Sequence, residues 1–107
     1  MELWKNPNPS DTFAASTVYA AFSTYSTIQI LYRPNGTGGV MYKIVEIPYK
    51  ESTYYIFDTA GTNAYRDFTL HASSLAFANG HYYGGYGGLQ PTVNDAYIIP
   101  GFIYGIK

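Results

Sequence analysis

The groups able to do acid–base or nucleophilic chemistry are few. There are two histidines, His71 and His81, and seven Asp+Glu in 107 residues, with no cysteine. Asp58, Asp67 and Asp95 could converge on a histidine, but no nucleophile elbow, HExxH or paired-His spacing is present. Lack of cysteine removes the thiolate nucleophile and the Cys-based zinc site. A glycosidase needs two carboxylates facing each other across a cleft. The supply is Glu2, Asp11, Glu46, Glu51, Asp58, Asp67 and Asp95, none set in an apolar pattern that would raise a pKa. The Gly-rich stretch near residue 84 lacks the Gly-Lys-Ser/Thr ending of a phosphate loop. The residues point away from an enzyme, and no metal or cofactor is expected.

Binding chemistry is better supplied. Thirteen residues are Tyr, against six Lys+Arg and seven Asp+Glu. Tyr has an apolar body and one polar tip, and it fixes only two torsions on contact, so Tyr with Gly, Ser, Thr and Asn suits recognition. The bland reading is that a half-buried sheet collects Tyr through β-propensity. The densest run, Gly80-His81-Tyr82-Tyr83-Gly84-Gly85-Tyr86-Gly87-Gly88, is too rich in glycine for a good strand and reads as a loop. Sugars are held by an aromatic face against C–H groups, with amides or carboxylates bonding the hydroxyls. Tyr82, Tyr83, Tyr86, Trp4, Asn94 and Asp95 supply both types and form the candidate ligand site. Otherwise the loop tyrosines pack on a neighbouring subunit and the glycines only make tight turns.

The chain length suits one domain, residues 1–107, with a modest single core. Net charge is −1 and the six cations are scattered, which argues against a phosphate-held nucleic-acid partner. No secretory leader pattern and no long apolar run is seen, so neither export by a leader nor a membrane partner is expected.

The elements that must position these residues read as short strands. Asn6-Pro7-Asn8-Pro9 forbids a helix and makes 1–12 an extended, Pro-rich N-terminal arm. Trp4 either anchors that arm or offers a stacking platform. Ala15 to Ala21 is a moderate strand. Ser26 to Arg33 is the clearest, with Ile28, Ile30 and Tyr32 on one face. The turn chemistry of Pro34-Asn35-Gly36-Thr37-Gly38-Gly39 follows. Val40 to Ile47 and Thr53 to Thr59 are the next strands, with Tyr55 and Phe57 opposing Tyr54, Ile56 and Asp58. Tyr65 to Ala72 alternates, with Arg66, Phe68 and Leu70 on one side and Tyr65, Asp67, Thr69 and His71 on the other. Ser74 to Asn79 turns Leu75 and Phe77 inward. Ala96 to Lys107 is interrupted at Pro100-Gly101 by a break, bulge or edge.

No window carries a sustained helical stripe. Seven to eight short strands at this spacing predict an all-β fold, an antiparallel β-sandwich of jelly-roll-like character. The predicted core is Phe13, Val18, Ile28, Ile30, Tyr32, Val45, Ile56, Phe68, Leu70, Leu75, Phe77, Ile98, Phe102 and Ile106. The two termini should be neighbours in one sheet or along one edge.

The two ends also carry a resemblance. Leu3-Trp4-Lys5-Asn6-Pro7-Asn8-Pro9-Ser10, with Phe13-Ala14-Ala15 and Thr17-Val18, looks like a recurrent LW-x-NPNP…FAAQT opening. Ile99-Pro100-Gly101-Phe102-Ile103-Tyr104-Gly105-Ile106-Lys107 looks like the matching IPY-x-IYGIK ending. Both resemble small domains of phage and prophage tail proteins, fibre or baseplate, from Gram-positive gut bacteria. Arg66 to Phe77 fits that pattern loosely. Ser16 stands where the family tends to have Gln, and Gly101 where it tends to have Tyr. The resemblance implies a phage tail component, made in the bacterial host cytoplasm and carried on the virion. It also implies an adsorption role and a homo-oligomer, in particular a trimer with other tail-protein subunits. It supplies no catalytic or ligand residues. The function expected is a non-enzymatic receptor-binding module for bacterial surface carbohydrate. The alternatives are a purely structural virion or oligomerisation module and a small polysaccharide-degrading enzyme.

Overall fold

The computed structural model describes residues 1–7, 12–35, 42–58, 64–82 and 92–107. Among them are nine strands: β1 (Glu2–Lys5), β2 (Ser16–Tyr19), β3 (Thr27–Asn35), β4 (Lys43–Pro48), β5 (Ser52–Asp58), β6 (Ala64–Leu70), β7 (Ser74–Tyr82), β8 (Thr92–Val93) and β9 (Tyr97–Ile106). One 3-10 turn, Phe22–Thr24, is the only helical element among the described residues. No helix there is long and apolar enough to cross a membrane.

The strands form two antiparallel sheets packed face to face, a β-sandwich. One sheet runs β1-β9-β3-β4 and the other β2-β7-β6-β5, with β8 also paired to β7. The chain alternates between sheets at its start and crosses again into β9, the jelly-roll-like feature. Between these ends, β3–β4 is a hairpin and β5–β6–β7 a meander. Nine strands exceed the seven or eight expected, and the two not foreseen are short: β1, inside the N-terminal arm, and the two-residue β8. The termini are sheet neighbours, since β1 pairs with β9 from Glu2↔Tyr104 to Lys5↔Phe102.

Alternation builds the core. Ile28, Ile30 and Tyr32 from β3 face Ile56 from β5, Phe68 and Leu70 from β6, and Leu75 and Phe77 from β7, all buried. Phe22, from the 3-10 turn, is fully buried beside them. Phe13 and Val45 are half-buried and pack against this cluster. Trp4 meets Phe13 edge-on at 5.9 Å and Phe77 at 6.1 Å, so the indole fastens the arm to the body.

Two expectations about β9 need correction. Strand alternation predicts Phe102 and Ile106 in the core, yet both lie on the outer side of their sheet, where Ile106 is exposed and Phe102 half-buried. The cause is a β-bulge. Leu31 pairs with Phe102 and Tyr32 with Pro100, so Gly101 is an extra residue. One inserted residue reverses every later side chain, and Ile103 points inward in place of Phe102. The bulge also explains how a proline sits in a strand flanked on both sides. Asn6 serves the backbone there: its N–H donates to Gly101 O at 2.8 Å and its Nδ2 to Pro100 O at 2.9 Å.

A third correction concerns the Gly80–Gly88 loop. Gly80, His81 and Tyr82 belong to β7. Glycine is required at position 80 because a Cβ would lie 2.6 Å from Asn94 O and 2.7 Å from Tyr97 O. The strand tolerates a glycine where another backbone crosses closely.

Candidate aromatic recognition face

The predicted ligand residues separate. Tyr83 and Tyr86 lie outside the described residues. Tyr82 ends β7 with its ring stacked on Tyr97 at 4.6 Å and 10°. Trp4 lines an open cleft of about 330 Å³ with Asn6, Pro7, Thr12, Phe13 and Ser16. Asn94 and Asp95 occupy the turn before β9, where Asn94 Oδ1 and both carboxylate oxygens of Asp95 are engaged by the fold. Asn94 Oδ1 accepts from Ala96 N at 3.0 Å. Asp95 accepts from Asn79 Nδ2 and, at 3.0 Å, from Gly80 N. Trp4 and Tyr82 thus belong to separate ring clusters.

Asp95 also faces a buried cation. Arg66 is 0 % exposed, and its Nη1 lies 3.9 Å from Asp95 Oδ1. Its guanidinium donates to three carbonyls: Nε to Ile98 at 2.6 Å, Nη1 to Ala78 at 2.7 Å and Nη2 to Tyr97 at 3.1 Å. The Phe13 ring lies 5.2 Å from its carbon centre. Burial pushes its pKa down to about 10, against the opposing pull of Asp95 and Asp67, so it stays charged at neutral pH. Ile98 has φ 51°, rare for a β-branched residue. The fork of donors fixes the backbone at that strained point, which makes Arg66 a bolt between the sheets.

A second ion pair links the sheets at β4 and β5, where Lys43 Nζ donates to the buried Asp58 Oδ2 at 2.9 Å. Asp58, the nearest thing to a buried catalytic carboxylate, is therefore held by a cation. Among the described residues no three or more His, Asp or Glu side chains gather as metal ligands would.

The site that emerges lies on the outer face of β5, β6 and β7. Register places Phe57 beside Tyr65, Tyr65 beside His81, and His81 beside Val93, one row across four strands. Tyr65 and His81 stack at 4.7 Å and 3°. Phe57 lies 5.8 Å from Tyr65, and Tyr55, two residues along the same strand, stacks on Phe57 at 5.7 Å and 23°. Tyr55 is 54 % exposed and Phe57 57 %, so the open ring surface is concentrated on β5.

Polar groups border these rings. Asp67 pairs with Tyr55 in the ladder. Thr53 and Thr69 share a hydroxyl contact of 3.0 Å one step further along. His81 Nδ1 donates to the Asn79 carbonyl at 3.1 Å, since a carbonyl can only accept. Rings flanked by hydroxyls, a carboxylate and an imidazole can stack on C–H groups and bond alcohols.

Alternation along the strand puts Tyr55 and Phe57 on the face opposite Ile56 but does not single them out. Two aromatics two residues apart, separated by a core isoleucine, were the available signal. What the pattern lacked was register: a bulge opposite Asp67, where Arg66 pairs with Gly80 but Phe68 with Phe77, aligns His81 with Tyr65. Comparison with protein-family models, curated proteins and solved structures gives no match.

Proposed function

We propose that this β-sandwich is a non-enzymatic attachment module of a phage tail, holding bacterial surface glycan against the outer face of β5 to β7. The observation that carries the reading is the pair of half-exposed rings, Tyr55 and Phe57, backed by Tyr65 and His81 and bordered by Asp67 and the Thr53–Thr69 hydroxyls. A soluble surface rarely leaves such an apolar patch uncovered without a partner for it. The virion setting is supported by the sequence at the two ends, Leu3 to Val18 and Ile99 to Lys107, which resembles phage tail domains.

A polysaccharide-degrading reading has less support. Asp58 is committed to Lys43 and Asp95 to Asn79 and Gly80, and among the described residues that line the cleft beside Trp4 there is no carboxylate. A purely structural reading draws on a second aromatic surface, where Tyr42, Phe102 and Tyr104 cluster on the outer face of the other sheet. The two are separated by testing the isolated chain on a glycan array and on Gram-positive cell-wall polysaccharide. Retention without sugar release, weakened roughly 5- to 140-fold by Tyr55→Ala with Phe57→Ala, is expected from two stacking contacts of about 0.5–1.5 kcal/mol each. Failure to retain any glycan would leave the structural reading.

A further inference from the structure

Among the described residues β5 is the edge of its sheet. Exposed edges are ordinarily guarded by charge, proline, shortness or a bulge, because an open row of N–H and C=O groups templates another strand. The other described edges follow that rule. β1 has four residues including Glu2 and Lys5, β2 has four residues and β8 two. β4 carries Lys43, Glu46 and Pro48. β5 has no proline, is not short and carries no bulge against β6. It runs seven residues in unbroken register with β6, is uncharged from Ser52 to Phe57, and turns its one charge, Asp58, inward to Lys43.

We infer that β5 pairs with β5 of a second copy, antiparallel about a two-fold axis at Tyr55, joining two sheets into one. The strand is complementary to itself in that register. Tyr54 would lie beside the partner's Ile56, Thr53 beside the partner's Phe57, and Ser52 opposite the partner's Asp58. No like charges face each other, and aromatic cross-strand pairs are favourable. The pairing stands on the edge itself, but it also enlarges the proposed glycan surface. The two Tyr55 rings meet at the axis, and the partner's Thr53 adds a hydroxyl beside Phe57.

A seven-residue edge with two flanking rings buries on the order of 1,000 Å² in total, the weak end of specific interfaces. The dimer should therefore be concentration-dependent. Sedimentation equilibrium without ligand, from about 10 μM to about 1 mM, should show the mass rise towards twice the 11.9 kDa of one chain. Tyr55→Lys and Tyr55→Glu each place two like charges face to face across the axis and should hold the mass at one chain. Mixing the two variants should restore the dimer. Circular dichroism checks that each variant stays folded, and Thr53→Lys gives the same test from a second position. A wild-type chain that stays monomeric or forms a trimer, a single variant that still dimerises, or a mixture that stays monomeric would overturn the pairing. Glycan capture by a monomeric chain would overturn the pairing and leave the binding reading standing.

Discussion

Replacing Arg66 by Ala should be among the most damaging single substitutions in this chain. The side chain is fully buried and donates three hydrogen bonds to backbone carbonyls. Bonds from a charged donor contribute about 1.5–3 kcal/mol each. Against that stands the cost of burying a cation, several kcal/mol after relaxation. The balance favours keeping the group, because its removal takes the donor from the buried bond to the Ile98 carbonyl and from the part-buried bonds to those of Ala78 and Tyr97. Loss of one member of a buried charged network typically costs about 3–5 kcal/mol, a large part of the ~5–15 kcal/mol that stabilises a domain. In a chain of this size that lowers the melting temperature by roughly 15–30 °C. Arg66→Lys should recover only part of the loss, since one ammonium cannot reproduce a planar fork aimed at three acceptors. Arg66→Met, which keeps the stem volume against Phe13, should fall between Lys and Ala. Calorimetric melting of the three variants gives the answer. An Arg66→Ala chain melting within about two degrees of wild type, a shift worth well under 1 kcal/mol, would refute the bolt argument.

Other outcomes follow from the same geometry. Phe68→Ala or Phe77→Ala should each cost roughly 3–5 kcal/mol by leaving a cavity between the sheets, measurable by urea titration. Gly80→Ala should destabilise by about 1–3 kcal/mol, since its Cβ would be driven into the Asn94 and Tyr97 carbonyls. The phenol of Tyr32 is raised above its ordinary value of 10.0, first by burial and then by Asp58, with Lys43 pulling the other way. The native chain then holds that proton where the unfolded chain has released it, so stability falls as pH rises past about 10. Tyr32→Phe should flatten that alkaline decline in pH-dependent melting; an unchanged slope would assign it to other groups.

The alternating strands were legible because one face of each is dry. Ile28, Ile30 and Tyr32 in β3, and Arg66, Phe68 and Leu70 in β6, share faces in the sequence pattern and in the fold. Arg66 is the instructive member: its position was readable from parity, but the three carbonyls that make burial tolerable were not. The pattern failed where the period of two failed. The extra residue at Gly101 sent Phe102 and Ile106 outward, and the close crossing at Gly80 let a glycine stand inside β7. The proposed binding face was half legible. Tyr55 and Phe57 were readable as one face of β5, while the row through Tyr65 and His81 depends on cross-strand register, which one strand's sequence does not contain.

The central claim is that glycan settles on the outer face of β5 to β7. Its most direct test is the aromatic carbon–proton NMR spectrum of the isolated chain, titrated with a cell-wall oligosaccharide that the chain retains. Glycan bound there should shift Tyr55, Phe57, Tyr65 and His81 progressively and leave Phe22 and Phe68 in the core unmoved. Shifts confined to Trp4 and Phe13, or to Tyr82 and Tyr97, with the β5 rings unchanged, would contradict it.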